Sequence, residues 1–254
     1  MKSKVFFLML LPFALASCAR THTHKSGETS SNDLEIARYI ANNAKEWDDA
    51  FKDMYFTNYT MDVYVSITEG SISLSAHNHI EVSDDALLYQ LDVDNHQTDL
   101  YFAKDTPDWL VWGYDVELRQ YKPMYLEDFN GRYNCETVEE LKDRLAQEAT
   151  LHVSFESYYN QFVFDEEKCE YYCKGIVVCD LEDSIYSFDL AARNVHVKFF
   201  EGDIVSMSAE YVGVTGDQDP KDVFDLAKQQ GQSYRFDITN IGTTVVQEPR
   251  NIDK

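Results

Sequence analysis

Thr60-Met61-Asp62-Val63-Tyr64-Val65-Ser66-Ile67 decides the fold. Its side chains alternate with a period of two: Met61, Val63, Val65 and Ile67 fall on one face of a strand, and Thr60, Asp62, Tyr64 and Ser66 on the other. A strand buried on one side and wet on the other belongs in an antiparallel sheet. Downstream, Gly70-Ser71 turns the chain into Ile72, Leu74, Ala76 and Ile80, which alternate with Ser73, Ser75, His77 and His79. Leu87, Tyr89, Leu91 and Val93 follow, then Leu100 to Ala103, then Leu110, Trp112 and Tyr114. Ser83-Asp84-Asp85, Asp94-Asn95 and Asp105-Thr106-Pro107-Asp108 supply the turns between them. Strands at this regular spacing predict a meander.

Upstream lies the strongest helical pattern. Leu34, Ala37, Ile40, Ala41, Ala44, Trp47, Phe51 and Met54 recur at three-and-four spacing, which predicts a helix over 33–54 with Asn32 as its cap and Glu35 one turn in. Thr137-x-x-Glu140 is a capping box for a second helix with Val138, Leu141, Leu145 and Ala149 along its stripe. Strands are expected again over 152–164 and 170–179, joined by the acidic turn Asp165-Glu166-Glu167-Lys168. Val195 to Phe199 and Ile204 to Val212 form a hairpin around Glu201-Gly202-Asp203. Asp219-Pro220 begins a third helix that Gly231 ends, and the strand from Ser233 to Ile238 comes last. This order is α+β: a large curved antiparallel β-sheet, a half-barrel, with three helices covering its apolar face. It predicts a single domain over 33–249 followed by a tail, 250–254.

Composition excludes several partners. At a formal net charge of -23 the chain has no electrostatic footprint for nucleic acid and is repelled by anionic headgroups. Its 14% aromatic content suits half-buried sheet rather than disorder.

The N-terminus gives the address. Lys2 and Lys4 precede an apolar run from Val5 to Leu15, too short for the ~20 residues of a membrane-spanning helix. Leu15-Ala16-Ser17-Cys18 closes it, and the whole reads as a secretory signal. It resembles the bacterial lipoprotein signal with its lipobox. That resemblance implies cleavage after Ser17, a diacylglyceryl group on the Cys18 sulfur, and anchoring by acyl chains outside the cytoplasm. Residues 1–17 are then the signal. Residues 18–32 are the lipidated cysteine and a polar tether without periodicity.

A second resemblance covers most of the domain. The run from Arg193-Asn194-Val195 through Gly202-Asp203-Ile204-Val205 to Tyr234-Arg235-Phe236-Asp237-Ile238-Thr239-Asn240-Ile241-Gly242-Thr243-Thr244 is similar to the half-barrel lipoproteins of the LolA/LppX type. The likeness implies a curved sheet closed by helices over an apolar cavity that often holds an acyl chain. Met61, Val63, Val65, Ile67, Tyr89, Leu91 and Trp112 are the residues expected to line it. Read by themselves they serve equally as solid core, because both want the same side chains.

Signals for chemistry are sparse. The sequence has no nucleophile elbow, zinc-protease motif, phosphate loop or dinucleotide fingerprint. His22 and His24 lie in the tether without a third ligand, and His77 and His79 share a strand face without two further ones. Asp92-x-Asp94-Asn95 lacks the glycine and glutamate of a calcium loop, and Asp217-x-Asp219 reads as a turn and helix cap. Cys169, Cys173 and Cys179 on one strand would stand about 13 and 20 Å apart, beyond the reach of a disulfide unless Lys174-Gly175 breaks the strand. Cys135 adds a further thiol. No enzyme activity, cofactor or metal is therefore expected. What is expected is a membrane-anchored lipoprotein that binds a lipid or other amphiphile in a cavity. The alternative is a solid-cored, acidic interaction module that meets an envelope protein.

Overall fold

In the computed structural model, residues 36–52, 56–69, 71–94, 96–129, 133–148, 155–179, 189–216, 218–226 and 230–253 are described. The expected signal (1–17), Cys18 and the tether to residue 32 lie outside them, as do Asn32, Leu34, Met54 and Ala149. Among the described residues, no helix is long and apolar enough to cross a membrane.

Among the described residues, twelve strands form one open antiparallel sheet. They are β1 Tyr59–Glu69, β2 Ile72–Val82, β3 Ala86–Val93, β4 His96–Asp105, β5 Asp108–Asp115, β6 Gln120–Met124, β7 Phe162–Asp165, β8 Glu170–Cys173, β9 Val177–Cys179, β10 Asp189–Phe200, β11 Asp203–Val214 and β12 Gln230–Thr239. Their order is β6-β5-β4-β3-β2-β1-β12-β11-β10-β8-β7, with β9 pairing β10 alone. The first and last strands therefore meet in the middle, Met61 opposite Ile238 and Val63 opposite Phe236. Among the described residues, three α-helices with defined bounds complete the α+β fold: α1 Ala44–Lys52, α2 Val138–Glu148 and α3 Pro220–Leu226.

The expected alternation of β1 holds. Met61, Val63, Ile80, Leu87, Phe102 and Val111 carry the apolar face across five strands, and Phe236, Met207 and Val197 continue it beyond the seam. Helix α1 sets Trp47 into this face, with ring centroids 4.6 Å from Phe162, 5.2 Å from Tyr171 and 5.3 Å from Phe199. The indole N–H donates to the Phe155 carbonyl at 2.8 Å. Helix α2 lays Leu141 and Leu145 on the same core beside β3 and β5. Thr137 caps it, its Oγ1 accepting the Glu140 N–H at 3.1 Å, while the Glu140 carboxylate accepts the Glu136 N–H at 2.7 Å.

Several boundaries differ from those expected. The expected first helix is interrupted: Ile36 and Ala37 are helical, Arg38 to Asn43 is irregular, and α1 begins at Ala44. Tertiary partners take the groups that a helix would use. The Arg38 carbonyl accepts the Glu201 N–H at 2.7 Å, and the Ala41 carbonyl accepts the Tyr171 hydroxyl at 2.7 Å. Asn43 then starts the helix afresh, its Oδ1 accepting the Glu46 N–H at 3.1 Å. Farther on, the described part of the strand expected over 152–164 forms only β7, and the one over 170–179 breaks at Lys174-Gly175 into β8 and β9. Cys169, Cys173 and Cys179 are free thiols, and Cys135 is buried. Gly231 lies within β12 rather than at a helix end.

The third helix takes a different place from the other two. Asp219 caps it as expected, accepting the Lys221 N–H at 2.9 Å. Phe224 then packs on Ala191, Val212 and Val214. These side chains have the opposite parity to Ala192 and Tyr211 of the main core, so α3 covers one end of the polar face. The tail is structured as well. Asn251 and Asp253 bond Tyr121 on the outer edge of β6, at 2.7 and 2.9 Å. Val246 and Ile252 pack there with Tyr101, Tyr121, Trp112 and Tyr114.

Candidate functional site

The seven residues expected to line a cavity divide. Met61, Val63 and Tyr89 are only 0%, 3% and 7% exposed and belong to the continuous core. Val65 and Leu91 are half-buried against that core, and Ile67 shares their face. Trp112 does not join them. The inward positions of β5 are Trp109 and Val111, and Trp112 points to the other side, its Nε1–H donating to the Asp253 carbonyl at 3.0 Å. The outer face of β5 is apolar as well, with Trp112 and Tyr114 packing beside Val246 and Ile252, so alternation alone does not tell the two faces apart. Among the neighbours of the six, Asn78 sits between Val63 and Leu91, and its Oδ1 is buried with no hydrogen-bond partner among the described residues.

A concavity lies on the opposite, polar face. It is an open groove of about 850 Å3 across β3, β2, β1, β12, β11 and β10. Helix α3 covers one end of that face and the C-terminal segment another, and the polar stretch between them stays open. Strand register sets its floor. Asp92 lies opposite His77, His77 opposite Tyr64, and Tyr64 opposite Arg235. Arg235 in turn faces Ser208, and Ser208 faces His196. One straight row thus crosses six strands, about 24 Å at ~4.8 Å per strand. A second row runs beside it, Ser75 to Ser66 to Ser233 to Glu210.

Tyr64 is the exposed aromatic of the groove, 45% accessible, and it is held flat. Its ring stacks on His77 with centroids 4.4 Å apart and planes 1° from parallel. His77 is fixed in turn by Asp62, whose Oδ1 accepts from His77 Nε2 and from His79 Nδ1, both at 2.9 Å. Partial burial raises the Asp62 carboxyl, but the bonds from His79 and His77 outweigh it and hold the group below the usual carboxylate range. A carboxylate that accepts from both rings fixes a proton on each of those nitrogens. The two histidines considered as metal ligands therefore converge on Asp62. Among the described residues, no group of three or more His, Cys, Asp or Glu is placed to hold a metal ion.

Other charged groups in the groove are likewise engaged. Arg235 Nε donates to Asp237 Oδ2 at 2.6 Å, and the Ser206 hydroxyl donates to Asp237 Oδ1 at 2.8 Å. Glu210 accepts from Arg193 Nε at 2.7 Å and Asn194 Nδ2 at 2.9 Å. Burial raises its carboxyl, and these bonds more than offset that, leaving it below the usual range. Asn194 reaches Glu210 from a positive-φ backbone where the β10–β11 register shifts. Asp94 turns the chain at positive φ and accepts the Ser75 N–H at 3.1 Å. The residues of the groove were visible in the sequence only as the wet half of the alternation. The pattern had no signal for which strands adjoin.

No family model matches the chain, and no curated protein does. Among solved structures, a DUF1329 family protein from Desulfovibrio piger is similar to it, at 9% identity over 82% of this chain and 96% of that one. The TM-score is 0.24, too low to carry fold or function across.

Proposed function

We propose that this chain is a bacterial lipoprotein, held outside the cytoplasm by a lipid on Cys18, and that it works as a non-enzymatic recognition module. Its ligand docks in the polar groove. The observation that carries this reading is the contrast between the faces: the apolar side is packed core, and the open concavity lies on the polar side. The lipobox supports the anchor, and the tether would hold the module roughly 20 Å from the headgroups. An acidic body repelled by anionic lipid leaves attachment to the acyl chains.

A second reading, carriage of a lipid or other amphiphile against the apolar face, draws support from one observation. Asn78 Oδ1 is an orphaned acceptor beside Val63 and Leu91, and such a group costs about 1–3 kcal/mol. A bound headgroup would satisfy it.

One preparation tests both. The full-length chain is expressed in a bacterial host that processes lipoproteins, with a photo-crosslinker at Ser66 and a control at Glu127. We expect a diacylglyceryl Cys18 terminus by mass spectrometry, an adduct from position 66 alone, and no non-covalent lipid in organic extracts. An intact Met1 or an unmodified Cys18 sulfur refutes the anchor. Stoichiometric extracted lipid refutes the module in favour of the carrier.

A further inference from the structure

We infer that the groove takes an uncharged, polyhydroxylated chain, a neutral glycan laid across the strands; the inference rests on the recognition-module reading. Three observations carry it. First, several charged groups on this face are already engaged by their neighbours. Arg235 is held by Asp237, Glu210 by Arg193 and Asn194, and Asp62 by two histidines. A hydroxyl both donates and accepts and can use their spare lone pairs and N–H groups without breaking these pairs.

Second, the floor offers what a sugar ring binds. Tyr64 presents a partly exposed ring whose plane is fixed by the His77 stack, a platform for the C–H face of a pyranose. The hydroxyls of Ser66, Ser75, Ser208 and Ser233 surround it. Because Asp62 pins His77 and His77 supports Tyr64, little side-chain freedom is lost when a ligand stacks on that ring. Tyr64 would touch the ligand; His77 and Asp62 are positioning residues behind it.

Third, the spacing favours a glycan over a peptide. The row from Asp92 to His196 repeats once per strand, at ~4.8 Å, comparable to the advance of one pyranose unit along a linear glycan. An extended peptide presents side chains on one face only every ~6.7 Å and falls out of step with that row.

The test uses the full-length lipoprotein in detergent micelles. Neutral hexasaccharides (β-glucan, mannan, xylan, galactan and chitin fragments) are compared with hexalysine by isothermal titration. We expect at least one neutral hexasaccharide to bind, with Kd changing less than about twofold as salt rises severalfold past physiological strength. Tyr64→Ala should weaken it by about tenfold or more, and Tyr64→Phe, which keeps the ring, by less than about threefold. His77→Ala, which removes the support, should fall between them. Failure of every neutral hexasaccharide to bind overturns the inference, as does equal binding by Tyr64→Ala. Salt-sensitive binding of hexalysine in the groove also overturns it and assigns a basic peptide instead. A protein adduct from position 66 without glycan binding removes this inference and leaves the recognition module standing.

Discussion

Met61→Ala tests the packed face directly. Met61 is fully buried on β1, opposite Ile80 of β2 and Ile238 of β12. The substitution removes roughly three methylene equivalents, worth about 2.4 kcal/mol at ~0.8 each. If ~50 Å3 of the vacated space stays empty, the cavity adds about 1.2 kcal/mol at ~24 cal/mol per Å3. The sum, ~3.6 kcal/mol, is a factor of about 400 in the unfolding equilibrium. With a urea m-value near 3 kcal/mol per M, the midpoint should drop by about 1.2 M. Tm should fall by about 7–14 °C. The assay is urea unfolding followed by both tryptophan fluorescence and far-UV circular dichroism, whose coincidence checks two-state behaviour. Tyr64→Ala, on the exposed side of the same strand, is the control and should cost less than about 1 kcal/mol. A loss below about 1 kcal/mol for Met61→Ala at unchanged m would refute the reasoning. The side chain would then border a void, and the amphiphile carrier would regain that face.

Three other perturbations have defined outcomes. Asp62→Asn removes a carboxylate held below its usual range, so its contribution is complete above the unfolded value of about 3.9 and lost as pH falls through the folded one. The variant should be about 1 kcal/mol less stable at pH 7, a figure discounted for the partial exposure of the cluster, and equal to the parent near pH 2; an equal deficit at both pH values in urea titrations contradicts this. Of the four cysteines after Cys18, Cys169 should react quickly with a chromogenic disulfide in the native protein, while Cys135, Cys173 and Cys179 wait for denaturant. Burial pushes the Cys179 thiol up to about 12, and fast modification of two or more thiols would contradict the burial described. Deleting residues 250–254 strips the Tyr121 N–H and carbonyl of their partners and should cost about 1–2 kcal/mol. Hydrogen exchange at Tyr121 should accelerate by tenfold or more, and unchanged protection there would show that the tail contributes nothing.

Much of this fold was legible because its sheet is wet on one side. Met61, Val63, Ile80 and Leu87 announced their direction by alternation alone, and Thr137 with Glu140 marked the start of a helix. Legibility failed where a third element intervenes. On β5 the C-terminal segment packs on the second face, so Trp112 was as apolar as Trp109 and parity lost its meaning. Before α1 the three-and-four spacing ran on through Ile40 and Ala41. Distant partners from Glu201 and Tyr171 instead took the carbonyls of Arg38 and Ala41. The groove was the least legible part. Tyr64, His77 and Arg235 are far apart in the chain, and only the pairing of β1 with both β2 and β12 aligns them.

That the opening and closing strands are neighbours has a consequence for timing. Half of the sheet, β1 to β6, comes from the early chain, and β10, β11 and β12 come from the late one. Until Gln230–Thr239 has emerged from the ribosome, β1 presents a bare edge and Met61 and Val63 lack one flank. Such sequence-distant pairing is slow to close. A nascent chain that stays unsealed until its last segment arrives remains threadable, the state in which a polypeptide passes through a narrow pore.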